Sequence, residues 1–311
     1  MAGKSTSETM VALPSGNAIC YSGYRRGQSP VDWSYPTREQ IAEDLLLLRD
    51  WPILRLYDCS EHARRVLDVI RQEEMDHTVM LGAYLGAEAS NPGCPWGAVY
   101  TGAQLAASMS ENDAEVGRLI ELAAAYEDIV FAVAVGNEAT VSWTDHLVPT
   151  RRMLEHVRRV RRAVAQPVTF CENYVPWLDG LESLAAELDF LSIHTYPVWE
   201  YKSIGEALEY TKENYRSVAR AYPDKPVVIS EAGWTTRSNG RGMPVENASE
   251  DLQAVYYAEL MEWTRAEGIL TFVFEAFDEP WKGSADPDEP EKHWGLFDVD
   301  RQPKKALRCH R

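Results

Sequence analysis

Residues 129–138 read Ile-Val-Phe-Ala-Val-Ala-Val-Gly-Asn-Glu: seven apolar side chains in succession, then a glycine, an amide and a carboxylate. A run this short and this uniformly apolar lacks the alternation of a half-exposed strand and reads as a strand covered on both faces, as in a parallel sheet. Beyond it, Met153, Val157, Val160 and Val164 fall at i, i+4, i+7 and i+11, one apolar stripe of a helix, and leave Arg158, Arg159, Arg161 and Arg162 mostly to water. The unit is strand, loop, helix. Working outward, similar apolar runs occur at 18–21, 53–57, 78–85, 168–171, 190–195, 227–230 and 269–274, most followed by helical spacing. Strands alternating with helices demand parallel pairing through right-handed crossovers, and eight such units close a barrel. An open doubly wound sheet is the competing architecture, but Tyr21-Ser22-Gly23-Tyr24-Arg25-Arg26-Gly27 after the first run is not a GxGxxG phosphate loop. The expected fold is α/β, a single (β/α)8 TIM barrel occupying residues 1–311, with 1–15 as a poorly ordered N-terminal extension.

Composition narrows the function. The 48 acidic residues against 31 basic ones give a formal charge of −17, which repels phosphate backbones and argues against nucleic acid as a partner. The five cysteines, Cys20, Cys59, Cys94, Cys171 and Cys309, show none of the paired spacings of zinc or disulfide frameworks, so free thiols and no metal are expected. No apolar stretch approaches the ~20 residues of a membrane span, and the first ten residues lack a signal-peptide core. The expectation is a cytoplasmic monomer with no membrane partner, a secreted or periplasmic protein with its signal removed being the alternative.

Reactive groups of such barrels sit at the carboxyl ends of the strands. Gly136-Asn137-Glu138 follows the fourth run, and Glu231-Ala232-Gly233-Trp234 the seventh. Either glutamate alone reads equally as a salt bridge or a helix cap. Together they are more specific, because strands four and seven face each other across the mouth and can hold two carboxyls about 5 Å apart, the separation for retaining glycoside hydrolysis. In that chemistry Asn137 binds a sugar 2-hydroxyl; otherwise it is a turn residue. Arg55, ending the second run, lowers the pKa of a neighbouring Glu231, or forms a bridge elsewhere. Tyr196, ending the sixth run beside the seventh, hydrogen-bonds Glu231, or caps a core strand.

Ile19-Cys20-Tyr21-Ser22-Gly23, Leu54-Arg55-Leu56-Tyr57-Asp58, Val135-Gly136-Asn137-Glu138, Val228 to Trp234, Ala276-Phe277-Asp278-Glu279-Pro280-Trp281-Lys282 and Glu291 to Phe297 together carry a resemblance to glycoside hydrolase family 17, the plant-type 1,3-β-glucanases. The resemblance spans nearly the whole chain. It implies Glu138 as acid/base and Glu231 as nucleophile, with Tyr57, Tyr196, Glu279 and Lys282 around the reacting sugar. Glu279 and Lys282, three apart, also read as a local ion pair. The chain departs from the plant pattern at His194-Thr195, where those enzymes carry Asn and an apolar residue, and at Pro280, where they carry Asn. His194 is read as a general base or, more simply, as a hydrogen-bonded packing residue.

Trp143, Trp177, Trp199, Trp234, Trp281 and Trp294 follow barrel strands or lie in the next loops. Each can stack on a pyranose or pack the core, and Trp234 and Trp294 are singled out as sugar-binding. The resulting expectation is a cofactor-free retaining enzyme acting on β-glucan, most simply 1,3-linked. A transglycosylase using the same site and a non-catalytic carbohydrate-binding barrel are the alternatives.

Overall fold

A computed structural model of the chain describes residues 11–308. The proposed extension falls largely outside them at 1–10, while 11–15 run without regular structure; Cys309 also lies outside. Eight parallel strands close on themselves in chain order: β1 Ala18–Cys20, β2 Ile53–Leu56, β3 Thr78–Ala83, β4 Val130–Asn137, β5 Val168–Asn173, β6 Leu191–Thr195, β7 Val227–Ala232 and β8 Thr271–Val273. β1 pairs with both β2 and β8, which closes the barrel and leaves no strand edge open. This is the expected (β/α)8 barrel. Three strands run further than the sequence suggested: β4 takes in Gly136 and Asn137, β5 takes in Glu172 and Asn173, and β7 takes in Glu231, which therefore lies within a strand and not after it.

The principal helices are α1 Arg38–Leu47, α2 Glu61–Gln72, α3 Gly102–Ala125, α4 Thr150–Arg161, α7 Ile204–Ala221 and α8 Glu250–Glu267; two short helices, α5 Tyr174–Leu178 and α6 Glu182–Ala185, replace one long helix between β5 and β6. Local chemistry starts several of them. Thr37 with Gln40, Thr101 with Gln104 and Ser203 with Glu206 form reciprocal capping boxes at α1, α3 and α7, each satisfying two otherwise orphaned N–H groups. α8 stops at Gly268, whose φ of 67° suits a residue without a Cβ. α4 buries Met153, Val157 and Val160 of the expected stripe, with His156 beside them, whereas Val164 falls beyond its end at Arg161 and is half-buried; Arg158 and Arg161 pair with Glu187. Among the described residues no helix is long and apolar enough to cross a membrane, and Cys20, Cys59, Cys94 and Cys171 are free and buried.

Three of the four register shifts between neighbouring strands lie toward the barrel mouth: Ala134/Asn137 in β4–β5, Ile193/His194 in β6–β7 and Ile229/Ala232 in β7–β8. Shifts of this kind re-aim side chains, and here they bring His194 level with Glu231 on the adjacent strand.

Candidate active site

Arg55 organises the mouth. It is 2% exposed at the end of β2, yet its guanidinium crosses the barrel interior to donate to Glu231 Oε1 at 2.5 Å and to the Ser230 carbonyl at 3.0 Å, and also to Asn137 Oδ1. One planar cation thus joins β2, β4 and β7, a task that suits a rigid fork of donors. Glu231 also accepts from Tyr57 Oη at 3.1 Å and from Tyr196 Oη. Burial alone would raise its carboxyl, but the charges of His194 and Arg55 and the hydrogen bonds from Tyr196 and Arg55 outweigh it and hold the group below the usual carboxylate value. Glu231 is therefore a buried carboxylate kept ionised.

Glu138 is more open, with 29% of its side chain exposed against 7% for Glu231. It follows β4 directly, and its φ of 44° places a non-glycine residue in the left-handed region, which costs energy and turns the side chain into the mouth. Between the two carboxyls stands His194. Its Nδ1 lies 2.8 Å from Glu138 Oε1 and 3.4 Å from Glu231 Oε2, and these donor atoms all lie within 4.8 Å of one another. They form the one metal-sized grouping among the described residues, but Arg55 already places a fixed positive charge 2.5 Å from Glu231, which opposes a cation there.

Glu279 and Lys282 do pair, at 2.7 Å, but not at the surface. Glu279 is 1% exposed, and Lys282 Nζ lies equally close, at 2.6 Å, to Glu275, itself 2% exposed. The ammonium therefore serves two buried carboxyls and stays protonated, well above its ordinary value despite the opposing cost of burial. Glu291 feels the charges of both this triad and the mouth. Burial pushes its carboxyl up to about 7; the Lys282 charge opposes that, and the Glu138 and Glu231 charges add to it.

The two tryptophans expected to stack on sugar do not present a face. Trp234 is 1% exposed, packs on Tyr256 and donates its N–H to the Asn247 carbonyl at 2.7 Å, so it belongs to the layer between barrel and α8. Trp294, also 1% exposed, meets Tyr196 and Phe274 edge-on at centroid distances of 5.1 and 5.7 Å. It props the tyrosine that touches Glu231. Filling the space behind a reactive group uses up the flat faces that stacking would need. Exposed aromatic side chains occur instead on loops after β1, β3 and β6: Trp33 at 78%, Trp96 at 55% and Tyr201 at 68%.

Sequence reasoning passed over Glu172. It is fully buried at the end of β5, accepts from Thr140 N at 2.9 Å, Thr140 Oγ1 at 2.6 Å and Asn173 N at 2.7 Å, and so pins the chain just after Glu138. Burial, then the Glu138 charge, pushes its carboxyl up to about 7. The signal that marked Glu138 and Glu231, a glutamate closing an apolar run, is present at Phe170-Cys171-Glu172 and at Phe274-Glu275 as well.

A pair of closely spaced carboxyls ending strands four and seven, one open and one buried on an arginine, is an arrangement that can attack a carbon centre from one side while protonating a leaving group on the other. Comparison with known proteins accords with it. Residues 18–295 match the model of the BtgE/BtgC glycoside hydrolase domain. A glucan 1,3-β-glucosidase of Arthroderma benhamiae is 27% identical over 63% of this chain and 67% of its own length, and the matched stretches span 59–67% of the length of this and two further curated relatives. The crystal structure of an endo-laminarinase from Formosa Hel1_33_131 superposes with a TM-score of 0.79 at 27% identity, covering 94% of this chain and 85% of that one. A family 17 β-1,3-glucanosyltransferase from Rhizomucor miehei shares the fold, with a TM-score of 0.72 at 22% identity over 94% and 96% of the two chains. The chain therefore belongs to the BtgE/BtgC glycoside hydrolase domain family, within glycoside hydrolase family 17.

Proposed function

We propose that this glycoside hydrolase is a retaining β-glycosidase of 1,3-β-linked glucan, with Glu231 as nucleophile and Glu138 as acid/base. The observation that carries the reading is the carboxyl pair: side-chain oxygens within 4.8 Å, across one imidazole, with only Glu231 bound to the Arg55 guanidinium. Retaining enzymes hold their carboxyls about 5 Å apart, whereas inverting ones leave room for a water between them. Glu231, ionised and fixed by three donor groups, attacks the anomeric carbon. Glu138, nearer solvent, protonates the departing glycosidic oxygen, and the covalent glycosyl-enzyme is then opened by water or a sugar hydroxyl deprotonated by the same carboxylate. Asn137, held by Arg55, presents an amide to the 2-hydroxyl of the reacting sugar. The 1,3-linkage rests on the glucosidase and the laminarinase that this chain resembles.

Azide chemistry tests the roles. Glu231→Gly opens a hole on one face, so azide attacks directly and gives an α-glycosyl azide from an activated β-glycoside. Glu138→Ala still forms the intermediate from good leaving groups, and azide entering from the vacated side gives the β product. The reverse pairing of products assigns the roles the other way, and full activity of either variant on a natural glucan removes that residue from the mechanism. Product analysis at high oligosaccharide concentration separates hydrolysis from transfer: products longer than the substrate mark transfer.

A further inference from the structure

His194 stands between the two carboxyls, with a charged side chain facing each of its ring nitrogens. Its setting is specific. The ring is 0% exposed on β6, its Nδ1 faces Glu138 Oε1 at 2.8 Å and Glu231 Oε2 at 3.4 Å, and its Nε2 faces Arg55 Nη1 at 3.4 Å. The ionisable groups around it are thus Glu138 at the end of β4, Glu231 on β7, Arg55 on β2 and, bonded to the ring from β5, Cys171. A single N–H is offered to two carboxyls that must hold opposite protonation states when the first step begins.

We propose that His194 is a positioning residue that selects the oxygen of Glu138 through which the reacting proton passes. The inference rests on the acid/base and nucleophile reading above. With Nδ1–H donated to Oε1, that oxygen is an acceptor, and the carboxyl proton of Glu138 resides on Oε2. In the first step the proton leaves Oε2 for the glycosidic oxygen as the C–O bond to the leaving group breaks and the bond from Glu231 to the anomeric carbon forms. In the second, the oxygen of water or of a sugar hydroxyl bonds to the anomeric carbon and gives its proton to Oε2 as the bond to Glu231 breaks and releases its carboxylate. His194 gains and loses nothing in the cycle; its N–H stays on Oε1 throughout. Against the cost of its burial, the Glu231 charge and then the hydrogen bonds to Cys171 and Glu138 push the imidazole up to about 10, so the N–H persists over the neutral range.

The separating measurement is leaving-group dependence. His194→Ala, His194→Asn and Glu138→Ala are compared on a 1,3-β-glucan oligosaccharide and on the matching aryl β-glycoside with an acidic phenol, which departs without protonation. Acid catalysis contributes about 10²–10⁴-fold, so His194→Ala is expected to slow glucan cleavage about 10²-fold more than aryl glycoside cleavage. His194→Asn, whose amide N–H stands near the Nδ1 position, is expected to recover most of that ratio. An equal slowing of both substrates, the signature of a merely structural role, overturns the proposal, as does an Asn variant no better than Ala. Should His194→Ala fail to fold, His194→Gln takes its place: its amide stands near Nε2, and a glucan-to-aryl ratio equal to that of Asn is the overturning result. Glu138→Ala tells the two readings apart. If it lacks the leaving-group split, the acid/base assignment fails and this inference with it; if it shows the split and His194→Ala does not, only this inference fails.

Discussion

At the scale of single residues, Arg55 joins His194 in holding Glu231 ionised. The guanidinium is buried with its carboxylate, and removing one partner of such a pair strands the other charge, typically at a cost of about 3–5 kcal/mol. Arg55→Met is therefore expected to lower the denaturation midpoint and to move the acid limb of the kcat/KM profile up by about one pH unit or more. The sign follows from the shift. Glu231 sits below its ordinary value of 4.5 in the folded protein, so its stabilisation is present above that value and fades as pH falls through the lowered one. The stability gap between wild type and variant should accordingly narrow in acid, as urea titrations at several pH values will report; a gap independent of pH contradicts the account. Arg55, Asn137 and Tyr196 were legible from their places at strand ends, and Tyr57 only through the family resemblance. His194 was legible only as a choice between base and packing residue, because a sequence shows that a histidine closes a strand but not that two carboxyls meet it there.

Among the elements, β7 and β8 are held close together just past their ends. At Gly233, just after β7, a Cβ would run into the Phe274 carbonyl oxygen, a backbone atom that cannot swing aside, with the Trp294 ring also within 3.3 Å. Phe274 N in turn donates to the Ala232 carbonyl at 2.9 Å, so the two segments cannot separate without breaking the ladder. Gly233→Ala is expected to destabilise by the upper end of the overpacking range, about 3 kcal/mol, and to cost activity through displacement of Glu231 two residues away. Urea unfolding together with turnover checks both; unchanged stability would mean that the strands part more easily than the ladder implies. The strand periods themselves were readable, since eight buried runs announce themselves by composition. Their ends were not: β5 and β7 extend through Glu172 and Glu231 because pairing with neighbouring strands, and not local hydrophobicity, keeps them extended.

For the whole molecule, the buried charge on Asp44 ties the two ends of the chain together. Asp44, on α1 and 0% exposed, accepts from Arg301 Nε at 2.9 Å and Nη2 at 2.7 Å and from Arg25 Nη2 at 2.9 Å, joining the C-terminal segment to the first βα unit. We propose that the described residues, 11–308, fold as one cooperative unit. Asp44→Asn leaves Arg301 buried without its counter-charge and should cost about 3–5 kcal/mol, with circular dichroism and tryptophan fluorescence shifting together in one transition. Two separated transitions, or a detached C-terminal step, would sink the single-unit proposal.

What the sequence determined by itself was the architecture and the two carboxylates. Burial of apolar runs and the 3.6-residue stripe are local properties, and the parallel-crossover rules turn eight such units into a closed barrel whose strand ends share one mouth. The tertiary structure alone decided which side chains meet there. The register shift at Ile193/His194 sets His194 beside Glu231, and closure of the barrel lets Arg55 reach across to Glu231 and Asn137. It also placed Trp234 and Trp294 behind the site instead of in it, since whether an aromatic face meets water depends on what the rest of the chain packs against it. A one-residue slip exchanges the faces of a strand, and nothing in a strand's own residues records the slip chosen by its neighbours.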